Sequence, residues 1–221
     1  TASLEETRDL FKEAGENGAF RVINHPFCPL VPWEWDFSLP FDGLEVWNGV
    51  MSERNEKAAI WWHQQLCSGR KLPVTGGSDY HRPGLLGSLA MPCQCLYAPS
   101  RSRADLLKAL RQGSGYVSYL PSGPQADLIA VSPEGLPASF GDVAVRGEYT
   151  DILLTGLCQG DEIRLITDTA AESLIAPSGA CELKLRRRFP DALFLRLELY
   201  RSYAPGLPPM KALLTNPVYY Q

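Results

Sequence analysis

The chain has 221 residues, a mass of 24.4 kDa and a formal charge of −4, from 21 Lys and Arg against 25 Asp and Glu. A hydrophobic share of 45% with 21% charged residues excludes global disorder. There is no basic surplus to hold a polyanion, and the one dense basic run, Arg186-Arg187-Arg188, reads as a solvated strand end, so no nucleic acid partner is expected. The longest charge-free run, residues 83–100, is broken by Gly84, Gly87, Pro92 and Pro99, so no membrane span is expected either. No basic head followed by an apolar run opens the chain, and it starts at Thr1 rather than Met, which reads as a processed form or a fragment. The six cysteines (Cys28, Cys67, Cys93, Cys95, Cys158 and Cys181) fall well short of a disulfide scaffold. Cys93 and Cys95 would share a strand face and suit a soft metal, but no second pair or nearby His completes a tetrahedral set. Buried free thiols are expected, and with them a reducing, cytoplasmic compartment.

In chain order, Ser3 and Glu6 form a capping box that opens a helix carrying Leu10, Phe11 and Ala14 and stopping at Gly15. Residues 20–24 read as a short buried strand ended by His25-Pro26, and residues 43–47 as another. Residues 52–68 carry Ala58, Ala59, Trp62 and Leu66 at helical spacing and end at Gly69. Residues 72–78 read as a third strand, followed by a Pro/Gly-rich loop and a fourth strand at 94–97. A last helix, capped by Ser102 with Asp105 at its third position, runs to Gly113. Strand and helix alternating at this spacing predict βα units and a parallel sheet or barrel over residues 1–118. After Ser122-Gly123-Pro124 the texture changes to short strands at 127–131, 143–149, 152–154, 162–166, 181–185 and 193–199. These predict a β-sandwich-like module over 119–210, with residues 211–221 returning as a terminal strand to the first part.

In a parallel α/β arrangement ligands gather at the strand carboxyl ends. Those ends here deliver Asn24-His25-Pro26, then Glu45 with Asn48-Gly49, then Gly76-Gly77-Ser78-Asp79-Tyr80-His81. In extended backbone Asp79 and His81 would share a face, at about 6.8 Å between Cα atoms, and could converge on a cation. A chance Asp and His in an exposed turn is the plainer alternative. No G-x-S-x-G elbow or P-loop order occurs. His63 lies on the Trp61-Trp62 helix and reads as a packed or surface histidine. Trp33 and Trp35 either wall a substrate pocket or cover a core edge.

The segments Val22-Ile23-Asn24-His25-Pro26, Gly43-Leu44-Glu45-Val46-Trp47-Asn48-Gly49, residues 76–81 and the terminal 212–219 resemble the PHP (polymerase and histidinol phosphatase) superfamily, in its CehA/McbA-like branch. The resemblance implies the C-terminal half of a distorted (βα)7 barrel with divalent metals (Mn, Zn or Fe) at the strand ends. It implies His25, Asp79 and His81 as metal ligands, with Asp79 and His81 catalytic, and Glu45 and Asn48 as outer-shell or pocket residues. Arg82, beside His81, could clamp a substrate anion or be a surface arginine. The implied activity is metal-dependent hydrolysis of a phosphorylated small molecule. A carbamate or amide hydrolase of the same family is the alternative, as is a non-catalytic binding or structural protein with a degenerate site. The family opens with an H-x-H motif, which this sequence lacks. Three ligands therefore predict weak occupancy by at most one ion, little activity for this chain alone, and an exposed sheet edge closed by a homodimer or partner.

Overall fold

A computed structural model describes residues 3–83 and 89–221; the part of the expected Pro/Gly-rich loop at 84–88 lies outside the described residues. The first helix, α1 (Leu4–Glu16), begins with the expected capping box, since Ser3 Oγ accepts the Glu6 N–H and Glu6 reaches back to the Ser3 N–H. Next come β1 (Val22–Ile23), β2 (Gly43–Asn48), α2 (Glu53–Cys67) and β3 (Val74–Gly77). The three strands form a parallel sheet in the order β1-β2-β3, with β1 at its outer edge. A two-pronged Arg21–Asp42 pair, Nε to Oδ2 at 2.7 Å and Nη2 to Oδ1 at 2.6 Å, sets the entry of β2 beside β1.

After β4 (Cys93–Leu96) and α3 (Arg103–Gln112), the alternation stops producing parallel strands. Gly113 ends α3 in the left-handed conformation, and β5 (Gly115–Ser118) returns antiparallel to β4. From there the chain is all strand: β6 (Gln125–Val131), β7 (Pro137–Ala138), β8 (Val143–Ala144), β9 (Tyr149–Thr155), β10 (Glu162–Ile166), β11 (Ala171–Ile175), β12 (Glu182–Arg188), β13 (Phe194–Arg201), β14 (Met210–Thr215) and β15 (Val218–Tyr220). The expected half of a (βα)7 barrel is therefore wrong. Strands far outnumber the three helices among the described residues, and no barrel closes. The physical reason is the β4-α3-β5 unit. Its antiparallel return hands the chain to β14, which pairs with β5, so the sheet grows into a β-sandwich instead of adding further βα units.

Two sheets face each other across the larger core. One runs β11-β10-β13-β14-β5-β4 with β15 and β8 attached, and the other runs β12-β9-β6-β7. Leu128, Ile152 and Leu154 from the second sheet meet Ile163, Leu165, Leu195, Leu197 and Leu199 from the first, all essentially dry. The larger sheet has a second buried face. Phe194, Val117, Leu214 and Tyr219 join Trp47, Trp62, Leu66 and Val74 in another core, which binds α2 and the parallel sheet to the sandwich. Asn216 stitches the same seam. Its Oδ1 accepts the Val74 N–H at 2.8 Å, and its Nδ2 donates to the Val74 carbonyl at 3.2 Å.

On that second face β13 buries charge. Arg196, Glu198 and, from β14, Lys211 are 5%, 4% and 1% exposed. Arg196 Nη1 lies 2.5 Å and Lys211 Nζ 3.4 Å from Glu198 Oε1, while the Tyr200 hydroxyl donates to Glu198 Oε2 at 2.6 Å. Burial alone would raise the Glu198 carboxyl, but Lys211, Arg196 and Tyr200 outweigh it and hold it at about 2. His63 packs beside this network, its ring near-perpendicular to that of Phe194 with centroids 5.7 Å apart. Burial, reinforced by the Arg196 charge, keeps its pKa below the ordinary value. The Arg186–Arg188 run lies on β12, where Arg186 pairs with Asp151 and both outer arginines stack on Tyr149. All six cysteines are free. Burial pushes the Cys93 thiol up to about 11 and raises that of Cys95, so both are neutral and poor ligands near pH 7.

Candidate metal centre

The parallel sheet brings His25, Glu45 and Asp79 to one end, the carboxyl end of three adjacent strands. His25, just past β1, has a φ of 32°, and Asp79, just past β3, has a φ of 52°. For residues other than glycine the left-handed region costs about 1–3 kcal/mol, and such strain gathers where geometry serves a site. Glu45 lies between these two turns. Its Oε2 accepts the His25 backbone N–H at 2.8 Å and the Asn48 side-chain amide at 3.2 Å. Gly77 lies beside this carboxylate, where a Cβ would make ordinary contact with Glu45 Oε1 at 3.6 Å. Burial raises the Glu45 pKa and the Asp79 charge adds to the rise, while the His25 N–H, the His25 imidazole and Asn48 oppose it.

Asn48 is buried and holds the start of α2, with its backbone N–H donating to Asn55 Oδ1 at 3.2 Å and Asn55 Nδ2 donating back to the Asn48 carbonyl at 3.1 Å. Beyond it stands Arg54, which the sequence reading did not single out. Its Nη2 donates to Asn48 Oδ1 at 3.1 Å and its Nη1 to Cys28 Sγ at 3.3 Å. Burial works against ionising Cys28, yet the backbone N–H groups of Val31 and Leu30, with the Arg54 guanidinium, prevail and lower its pKa. Arg54 had a signal to find it by. The first turn of a helix that follows a parallel strand stands over the strand ends.

The Asp79/His81 pair differs from the expected geometry. Strand β3 ends at Gly77, and the positive φ of Asp79 breaks the extended alternation that would put both side chains on one face. His81 Nδ1 instead lies 2.7 Å from the Asp79 carbonyl oxygen and 3.9 Å from Asp79 Oδ1, with both side chains exposed. Asp79 lines a cleft of about 750 Å³ together with Phe27, Pro29, Val50, Arg54 and Lys57. Arg82 is exposed and is not among the described residues that line it. Trp33 and Trp35 pack on each other at 4.8 Å, and Trp33 also on Phe11 at 5.9 Å, covering a core edge. From the same loop, Phe27 and Pro29 form the wall of the cleft.

The donors suit a divalent cation in kind, imidazole and carboxylate, but not yet in number. The His25 Nδ1 atom is buried without a hydrogen-bond partner, a state it shares with His63 Nδ1, so it is open to a partner the chain itself does not supply. Among the described residues, however, no three His, Cys, Asp or Glu side chains are gathered closely enough to hold a metal ion. No helix among the described residues is long and apolar enough to cross a membrane.

No family model, curated protein or solved structure matches the chain.

Proposed function

We propose that the ends of β1, β2 and β3 contribute to a metal-dependent hydrolase site acting on a phosphoester, the activity that the PHP-like strand-end motifs imply. The observation that carries this reading is the orphaned, buried His25 Nδ1, held at a strained strand end beside the Glu45 carboxylate and across the sheet from Asp79. His25, Asp79 and His81 would hold the ion. Held there, a divalent cation would supply a water acidified toward pH 7 and positive charge for the phosphoryl oxygens. Glu45 fixes the His25 turn through its backbone N–H and is a positioning residue. Asn48 ties that carboxylate to Arg54, so the cationic side chain and the strand ends keep a fixed relation. With three donors of its own, the chain completes the shell with water or with donors from another polypeptide and holds at most one ion.

The shortage of gathered ligands favours a second reading, in which the same strand ends bind without turning over. Hydrolysis of a chromogenic phosphomonoester over a panel of Mn2+, Zn2+ and Fe2+ separates the two. Slow metal-dependent release, abolished by Asp79→Ala with an unchanged thermal melt, supports the hydrolase. Release unaffected by Asp79→Ala rejects the site, and no release with any metal favours the binding protein.

A further inference from the structure

The cleft beside the strand ends has two unlike walls. On one stands Arg54, whose terminal nitrogens each spend one N–H, on Asn48 Oδ1 and Cys28 Sγ, and each keep another. Its Nε is buried without a partner, and among the described residues no carboxylate pairs with it. The neighbouring cation, Lys57, is already taken by Glu53 at 2.8 Å. A half-buried guanidinium with no carboxylate in ion-pair contact among the described residues can take a ligand's anion at its free N–H groups. The rest of the lining includes the apolar Phe27, Pro29 and half-exposed Val50, with the carboxylates Glu53, paired with Lys57, and Asp79, and Leu30 and Val31 follow Pro29 directly in the loop at 86% and 59% exposed. At about 750 Å³ the cleft is sized for a drug-like molecule and far exceeds a bare phosphate.

We propose that the cleft takes an ester with two unlike ends, its oxyanion on Arg54 and an aryl or alkyl group on Phe27, Pro29 and Val50. The inference rests on the hydrolase reading for which bond breaks, but not for binding, so it is tested without metal. Phenylphosphonate, which is not hydrolysed, is the probe, with inorganic phosphate as the anion alone and benzyl alcohol as the ring alone, all in EDTA. The wild-type protein is expected to bind phenylphosphonate about tenfold more tightly than either half-probe. Arg54→Met removes that binding, Arg54→Lys weakens it, and Val50→Ser weakens phenylphosphonate while leaving phosphate unchanged. Because Arg54→Met also loses bonds to Asn48 and Cys28, amide shifts of the wild-type protein give a second readout. They are expected to cluster at residues 49–57 and 78–79. Equal affinity for phenylphosphonate and phosphate, binding retained in a folded Arg54→Met, or shifts centred elsewhere each overturn the proposal. A chain that binds phenylphosphonate but no Mn2+ keeps this inference and loses the metal reading; the converse result does the opposite.

Discussion

Replacing Lys211 with methionine removes a buried ammonium and keeps most of its apolar stem, so the change is mainly in charge. Lys211 Nζ lies 3.4 Å from Glu198 Oε1 and 3.5 Å from Glu56 Oε2, and heads the influences that keep the Glu198 carboxyl ionised. That carboxyl is held at about 2 against an ordinary 4.5. At about 1.4 kcal/mol per pH unit, the ionised Glu198 contributes roughly 3–4 kcal/mol at pH 7 from all its partners together. Lys211 carries a large part of this, and Arg196 and Tyr200 remain, so Lys211→Met is expected to destabilise the fold by about 2 kcal/mol at pH 7. The sign follows from a folded pKa below the unfolded one. The contribution is complete above about pH 4.5 and is lost as pH falls toward about 2. Without Lys211 the carboxyl titrates higher, so the variant begins to lose stability at a higher pH, and the gap between the two proteins narrows by pH 3. Urea denaturation of both proteins at pH 7, 5 and 3 measures this. A gap below about 0.5 kcal/mol at pH 7, or one that does not narrow on acidification, would refute the electrostatic reading of the network.

Asn216→Ala leaves the Val74 N–H and carbonyl unpaired at a dry seam, and urea denaturation should show a loss of about 2 kcal/mol. Gly141→Ala should cost over about 3 kcal/mol by thermal melting, because φ is +86° and a Cβ would run into the Gln112 carbonyl. Gly135→Ala, at φ +78° with nothing within 4 Å, should cost only about 1 kcal/mol in the same assay. Glu45→Gln should weaken Mn2+ binding about tenfold with little change in melting temperature, since it disturbs the carboxylate that fixes the His25 turn.

Local chemistry in this chain was legible where a single residue type satisfies a backbone need. The Ser3/Glu6 box, the Ser102 cap and the left-handed Gly113 stand where the sequence put them, because unpaired helix-end N–H and C=O groups leave few solutions. Short strands were less legible. Residues 143–149 read as one strand but divide into β8, paired with β15, and the start of β9, with Gly147 at φ +79° between them. Strand β5 is hidden in the sequence because Gly113, Ser114 and its own first residue, Gly115, look like loop, while its four residues are buried on both faces with no alternation to see. The barrel was inferred from motifs that specify strand ends, and nothing in them states that β5 turns back antiparallel on β4. Alternation on β13 showed two faces without showing which is wet. Arg196 and Glu198 look like a solvated row until α2 covers them. At the candidate site, His25, Glu45 and Asp79 were visible from their places after apolar strands. The extended pairing of Asp79 with His81 failed on one dihedral angle, and Arg54 became visible only once α2 stood over the strand ends.

Whether the strand-end donors of this chain bind a divalent cation is measured by Mn2+ titration followed by electron paramagnetic resonance. Free Mn2+ gives a six-line signal that falls as the ion binds. One weak site per chain is expected, lost in both His25→Ala and Asp79→Ala while the thermal melts of both variants stay close to that of the wild type. A signal that does not fall, or one that falls equally in the wild type and both variants, would contradict it.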